Sequence, residues 1–319
     1  MKDLLTDVIN TKENSIKFLQ KLQVIPHEKN CPGPLIKKSR YGHCGQSMVL
    51  KDVNDRKDGL VWRCRKTHKV DINGHTYVKK DVKVTIRENT WLEKCKLTLE
   101  ELIMLLYCWA NDYTNTQIQH EVRISEKTVH AWTSFLRESC ISHMLDYPDQ
   151  IGGPGIDVEI DESKFGRRKY HRGHKVVGQW VFGGRETKDK SKIFMVPVSD
   201  RKRETLELLI KKYIQRGSII HSDCWRAYNH LKDIGYTHKT VNHSRHFKDP
   251  ITGACTNRIE CDWRHAKVNM PSYGVKQGDH TSYLAEFLWR RKYHQEDLFV
   301  KIIKDINRHY KNKYFTNLP

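Results

Sequence analysis

The alternation of hydrophobic and polar positions changes period several times along this chain, and each change predicts an element. Residues 1–30 carry one short amphipathic stretch that stops near Pro26, where a missing backbone N–H ends a helix. From 31 to 90 the apolar residues fall in short runs between glycines and charged turns, which predicts small strands. Between 96 and 147 the period lengthens to that of helices. "LTLEELIMLLYCWAND" opens on Thr98 with Glu101 three residues later, a capping-box pattern. "TNTQIQHEVRIS" and "SEKTVHAWTSFLRES" follow. In the last, Ser125 is the expected cap, and Val129, Trp132 and Leu136 form an apolar stripe at i, i+3, i+7.

Three short helices with a tight turn before the third predict a helix-turn-helix, with Lys127, Thr128, His130 and Thr133 facing outward on the recognition helix. A three-helix packing that never touches DNA is the bland alternative. Residues 152–270 alternate strand and helix. "IDVEID", "GQWVFGGRE" and "KIFMVPVS" read as strands, and "ETLELLIKKYIQRG" as a helix closed by Gly217. "SIIHSD" is a strand ending on Asp223, "CWRAYNHLKDIG" a helix, "THKTVNH" a strand, and "TNRIECDWRHAKVNM" a helix. This predicts a mixed α/β class, a sheet with helices on both faces, in the element order of the ribonuclease H-like fold. In residues 271–319, Leu284, Phe287, Leu288, Ile302 and Ile306 predict two basic helices.

Composition adds a partner. Lys and Arg number 57 against 38 Asp and Glu, a formal charge of +19, with a pI near 9.5. Nucleic acid is the polyanion such a surplus expects. The first twenty residues hold no unbroken apolar run, and nothing approaches the roughly 18 apolar residues of a membrane span. A soluble intracellular chain with no membrane partner is expected, in the nucleus of a eukaryotic host or the cytoplasm of a bacterial one. Nine scattered cysteines are an odd count, which argues for thiols or a metal rather than a disulfide framework. Cys44 in "YGHCGQSMVL", Cys64 in "VWRCRKTHKV" and His68 four residues on predict a structural Zn²⁺ site in a small β module whose core is too thin to stand alone. Cys31 is the expected fourth ligand, with His43 or His27 as substitutes. Tyr41 stands where a zinc ribbon commonly starts with cysteine, so a degenerate ribbon with buried free thiols is the competing reading.

The acids carry the chemistry. Asp157, Glu159 and Asp161 alternate along "IDVEID" and share one strand face, and the pattern alone leaves open which of them works. Asp161 ends the first strand, Asp223 ends the fourth, and Glu260 lies on the last helix of that region. There Ile259, Trp263, Ala266 and Met270 form the buried stripe, while Glu260, Arg264 and Lys267 form the adjoining face. Three carboxylates brought together would raise one another's pKa. Two Mg²⁺ or Mn²⁺ ions resolve that, and such a pair suits in-line displacement at phosphorus. The cationic run after Asp161, with Arg167, Arg168 and Lys169, would then orient a DNA strand, the alternative being a solvated hairpin.

The run "GGPGIDVEIDESKFGRRKYHRGHKVVGQWVFGG", with "HSDCWRAY" and "DPITGACTNRIECDWRHAK", resembles the transposases of the Merlin superfamily and their bacterial insertion-sequence relatives. "DGLVWRCR", "KLTLEELIMLLYCWA" and "YLAEFLWRRKY" extend the resemblance over essentially the whole chain. It implies a cut-and-paste DDE transposase. The first acid falls on Asp161, the second on Asp223, the third on Glu260, and the trailing lysine on Lys267. The implied organisation is an N-terminal helical segment at 1–30, a zinc-ribbon-like module at 31–90 and a helix-turn-helix at 96–147. A ribonuclease H-like catalytic domain at 152–270 and a helical extension at 271–319 follow. Terminal inverted repeats and target DNA are the implied partners, within a homodimer or higher homo-oligomer. Two other functions remain open at this point: a domesticated, non-catalytic DNA-binding protein, and a structure-specific nuclease.

Overall fold

The computed structural model describes residues 7–33, 35–36, 39–40, 44–72, 75–79, 81–146, 150–166, 178–268, 270–271 and 280–315. The chain divides into two compact units, Met1–Ala131 with Leu298–Pro319, and Trp132–Asp297.

In the first unit, helix α1 (Lys12–Lys21) starts at Thr11, whose hydroxyl accepts the Asn14 N–H, and it buries Ile16 and Leu19. Small strands follow: β1 (Leu35–Ile36), β2 (Ser39–Arg40), β3 (Val49–Asp52), β4 (Leu60–Cys64), β5 (His68–Ile72), β6 (His75–Lys79) and β7 (Val82–Thr85). β4 is the centre of an antiparallel sheet β3-β4-β7, while β1-β2 and β5-β6 are hairpins. Helix α2 (Leu99–Ala110) carries the expected capping box, with the Thr98 hydroxyl accepting the Glu101 N–H at 3.0 Å and the Glu101 carboxylate accepting the Thr98 N–H at 2.7 Å. Helix α3 (Asn115–Val122) has a second box, Thr114 with Gln117, that the sequence reading did not single out. It ends on Arg123, whose φ of 59° turns the chain in the left-handed region, and helix α4 (Glu126–Asp146) begins after Ser125. The Ser125 hydroxyl accepts the Thr128 N–H at 3.3 Å, as expected of the cap. The last helix, Leu298–Phe315, packs on α2, where Phe299 meets Tyr107 edge-on.

α4 runs 21 residues, longer than expected, and the boundary between the units falls inside it. Its buried face follows Val129, Thr133, Leu136 and Cys140, at i, i+4, i+7, i+11. Thr133 is therefore buried rather than outward, because it shares the stripe that was assigned to Trp132. Lys127 and His130 are exposed and Thr128 is half-buried.

In the second unit come β8 (Ile151–Gly152), β9 (Asp157–Phe165), β10 (Gln179–Glu186), β11 (Ile193–Val198), helix α5 (Arg203–Tyr213), β12 (Ile214–Gln215), β13 (Ile219–Ser222), β14 (Thr237–Thr240), helix α6 (Asn257–Val268) and helix α7 (His280–Lys292). Five strands form a mixed sheet in the order β11-β10-β9-β13-β14. β9 is its centre, antiparallel to β10 and parallel to β13. Both faces of β9 are covered, so its apolar residues alternate between two cores. Val158 and Ile160 join Leu206 and Ile210 of α5, with Ile220 and Tyr228, on one face. Phe165 joins Ile259, Trp263 and Ala266 of α6, and Leu284, Phe287 and Leu288 of α7, on the other. The α6 and α7 stripes read from periodicity are thus the stripes that pack.

The helix expected at "CWRAYNHLKDIG" is instead two 3₁₀ turns, Arg226–Tyr228 and Leu231–Ile234. The two side chains driven into the core there, Tyr228 and Leu231, lie three positions apart, which suits three residues per turn.

Candidate functional site

Alternation along β9 sorts its acids by face, and long-range partners sort them by task. Glu159 has no exposed surface. Its carboxylate accepts the backbone N–H groups of Arg258 at 2.8 Å and Ile259 at 3.1 Å, and the Arg258 guanidinium at 2.9 Å. It therefore satisfies the open first turn of α6 and ties that helix to the central strand. Asp157 accepts from His221 Nε2 at 2.7 Å, a neighbour-strand pair. Of the three acids on this face, only Asp161 is left facing an open cleft.

Asp161 sits opposite Gly183 on β10. A Cβ at Gly183 would come within 2.6 Å of the Trp263 ring, so the glycine makes room for the indole. Trp263 then donates Nε1–H to Asp161 Oδ2 at 3.0 Å. This gives a buried Trp its polar partner and fixes the carboxylate. Asp223 follows directly on β13, partly buried, with its Oδ1 accepting the Trp225 N–H at 2.9 Å. Glu260 lies in the first turn of α6, about half exposed. Its Oε1 is 3.1 Å from the Thr256 hydroxyl, which donates to it, and 3.4 Å from His243 Nε2. Asp161, Ser163, Glu260, Trp263, Arg264, Lys267 and Val268 line an open cleft of about 480 Å³. Lys267 Nζ donates to the Ser163 hydroxyl at 2.6 Å and lies over the Phe165 ring.

The electrostatics of this corner are unfavourable without a cation. Burial pushes the Asp161 carboxyl from 3.8 up to about 7, and the charges of Asp223 and Glu260 push the same way, against hydrogen bonds from the Glu162 N–H and Trp263. Glu162, on the opposite face of β9, is pushed up to about 8 by burial first and by Asp161 and Asp223 next, with Arg201 opposing. It hydrogen-bonds the Tyr228 hydroxyl. The sequence reading did not single out Glu162. Its signal was an acid that follows two apolar residues, Val158 and Ile160, on the same face of the strand.

Hard divalent cations suit carboxylate oxygens, which Asp161 and Glu260 bring to the cleft and Asp223 brings beside Asp161. The three acids do not crowd onto one point. Among the described residues, only Cys31, Cys44, Cys64 and His68 form a set whose ligand atoms all lie within 4.8 Å of one another. A wider spread is what two ions roughly 4 Å apart require of their ligands.

That Cys₃His set is the one expected, with Cys31 as fourth member. The chain around Asn30 pairs with the segment after Cys44, through Cys31 N–H to Gln46 O at 2.8 Å and Gly45 N–H to Cys31 O at 3.1 Å. Cys64 ends β4 and His68 begins β5. Cys31 Sγ is 3.4 Å from His68 Nε2, and Cys44 Sγ is 4.0 Å from Cys64 Sγ. The edges of a tetrahedron with metal–sulfur bonds of about 2.3 Å are about 3.8 Å, so these spacings fit four ligands on one zinc-sized ion. Burial pushes the Cys31 thiol up to about 12, with Cys64 and Cys44 adding to it, while the Gln46 N–H leads in holding Cys44 below its ordinary value.

Arg167, Arg168 and Lys169 lie outside the described residues, as does Tyr41. No helix among the described residues is long and apolar enough to cross a membrane.

With this geometry in hand, comparisons with known proteins agree with one another. Residues 151–292 match the ISXO2-like transposase domain. An uncharacterized transposase-like protein of Haemophilus influenzae is 28% identical over 118 residues, which cover 37% of this chain and 94% of that relative. Both likenesses support a transposase related to bacterial insertion sequences, and neither reaches the finer level of the Merlin superfamily.

Proposed function

We propose that this chain is a DNA transposase of the DDE type, with the sheet of the second unit as a ribonuclease H-like core and the Merlin superfamily as its nearer kin. The observation that carries the reading is the corner where Asp161, fixed by Trp263, meets the charges of Asp223 and Glu260 above a cleft rimmed by Arg264 and Lys267. An acid whose proton affinity is raised by carboxylates on two other elements is poorly explained as structure alone, since Glu159 already does the structural work.

In this reading Asp161, Asp223 and Glu260 would together hold two Mg²⁺ or Mn²⁺ ions. Such a pair, when bound, activates the attacking oxygen and stabilises the leaving one. The protein's own part is to hold the strand. Lys267 and Arg264 contact the phosphates beside the scissile bond, and the Trp263 indole keeps Asp161 in one orientation. Arg167, Arg168 and Lys169 extend the phosphate contacts, and the formal charge of +19 favours the approach of DNA. Water is the first nucleophile, at the transposon end. The freed 3′-hydroxyl is the second, attacking target DNA.

The module at 31–90, held by zinc on Cys31, Cys44, Cys64 and His68, and the helix-turn-helix at 96–147, with Lys127, Thr128 and His130 on its outer face, read the terminal inverted repeat. The tight turn at Arg123 supports the latter. The active form is a homodimer or larger assembly that pairs two ends, in whichever compartment the host keeps its DNA.

The test is to incubate the protein with the ends of its own element and Mg²⁺, and to look for nicks and joined products. Asp161→Asn, Asp223→Asn and Glu260→Gln each remove both products while end binding persists, because each loses a ligand charge but little volume. Nicks without joining would make the chain a nuclease. Binding without either would make it a DNA-binding scaffold. Normal joining by Asp161→Asn overturns the assignment of the acids.

A further inference from the structure

One surface feature beside the acids has no part in the chemistry above. At the edge of the sheet where β9, β11 and β13 end and β10 begins, four side chains form an alternating ladder of cations and indoles. Lys164 Nζ lies 5.6 Å from the centroid of Trp180. The Arg201 guanidinium lies 4.0 Å from the same ring and 4.9 Å from the ring of Trp225. The Trp225 indole N–H donates to the Arg201 carbonyl at 3.5 Å, and its backbone N–H donates to Asp223. Trp225 is thus tied at two points and backed by a cation.

Trp180 packs against the α5-side core, but Trp225 belongs to neither core of the unit and is 41% exposed. Lys164 shares its strand face with Glu162, so this ladder flanks the acids on the side opposite α6, Arg264 and Lys267. A rigid indole held against a guanidinium, at the surface and two residues from a proposed metal ligand, is built to present a flat face rather than to fill a core.

We propose that the outer face of Trp225, backed by Arg201, is a stacking platform for the base of an unpaired nucleotide next to the scissile phosphate, beside Asp161 and Asp223. The proposal rests on the transposase reading and names the form in which its DNA strand is held. Inside a duplex both faces of a base are covered by its neighbours, so only an unstacked base can offer one to an indole. Stacking of this kind tolerates any base, because every base has a π face, and the cations alongside serve the backbone. A strand anchored by its base on one side of the acids and by Arg264 and Lys267 on the other would cross the cleft in a single register.

The test measures binding without catalysis, in buffer with no added Mg²⁺ or Mn²⁺. Two labelled duplexes of the same sequence are compared, one blunt and one with a five-nucleotide single-stranded tail that carries 2-aminopurine at its first position. The wild type should prefer the tailed duplex and quench the 2-aminopurine. Trp225→Ala should lose roughly fivefold to a hundredfold of its affinity for the tailed duplex, the range found for one stacked base, lose the quenching, and bind the blunt duplex as before. Trp225→Phe should recover most of both signals. Unchanged blunt-duplex binding shows that the variant is folded.

Equal affinity of Trp225→Ala and wild type for the tailed duplex overturns the proposal, as does equal loss on both duplexes. A fall in the mass of the assembly in light scattering, with the tail preference intact, would instead make Trp225 a contact between copies of this chain. Asp161→Asn run in the cleavage assay separates the two claims. If it cleaves normally while Trp225→Ala loses the tail, the catalytic reading falls and the platform stands; the reverse pair of results leaves catalysis standing alone.

Discussion

Replacing Asp161 with Asn removes a charge that the metal-free fold holds at a cost. Burial and the neighbouring acids lift this carboxyl from 3.8 to about 7. A folded-state pKa above the unfolded one means that folding favours the protonated form. That favourable contribution is complete below the unfolded value, declines as pH rises through the folded value, and is gone above it. The three-unit difference corresponds to roughly 4 kcal/mol at 1.36 kcal/mol per unit. Because Asp161 and Glu162 titrate against each other, about half of it, roughly 2 kcal/mol, is the working figure. Asparagine keeps the shape and an oxygen to accept the Trp263 N–H. The variant should therefore melt about 4–8 °C above wild type at pH 8.5 without divalent cations, at 2–4 °C per kcal/mol for a unit of this size. The gain should fall below half at pH 5 and vanish toward pH 4. Added Mg²⁺ should raise the melting temperature of wild type and leave the variant unmoved, since ligand binding to the folded state alone stabilises it. Thermal melts by circular dichroism at three pH values, with and without Mg²⁺, give all these numbers. A variant no more stable than wild type at pH 8.5, or equally stabilised at every pH, would refute the reasoning.

Glu159→Ala should act in the opposite direction, costing about 2–4 kcal/mol in urea melts, because two N–H groups of α6 and a guanidinium lose their acceptor; a stabilised variant would mean that Glu159 is not the anchor. Gly183→Ala should cost about 1–3 kcal/mol and lower the cleavage rate, since the new methyl displaces Trp263 from Asp161; wild-type stability and cleavage would show that the indole is not tightly placed. Protein prepared without chelator should carry one zinc per chain by elemental analysis, and Cys64→Ser should lose it while residues 152–270 keep their fold; a small fraction of one zinc in wild type would mean a degenerate module. Replacing Arg167, Arg168 and Lys169 by alanine should lower the slope of log affinity against log salt by up to about three, alike for specific and random DNA; an unchanged slope would make that run a solvated hairpin.

What was legible in the sequence is what a local period encodes. Thr98 and Glu101 lie three apart and cap α2 as read, and Ile259, Trp263 and Ala266 mark the buried stripe of α6 because a helix repeats every 3.6 residues. The shared face of Asp157, Glu159 and Asp161 follows from the alternation of a strand in the same way. Periodicity does not say what a face meets. It misassigned Thr133, because Trp132 and Thr133 are neighbours in angle on one helix and packing chose between them. It turned "CWRAYNHLKDIG" into a helix, where the core instead selected two 3₁₀ turns through Tyr228 and Leu231. It could not divide the β9 acids, because the partners that do so come from distant parts of the chain: Arg258 and Ile259 for Glu159, His221 for Asp157, Trp263 for Asp161. The joining of Cys31 to Cys44 and of Arg201 to Trp225 belongs to the same class. Alternation and helical period set which way a side chain points relative to its near neighbours, whereas burial, charge and hydrogen-bond partners are set by chain segments that meet only when the sheet and its helices close.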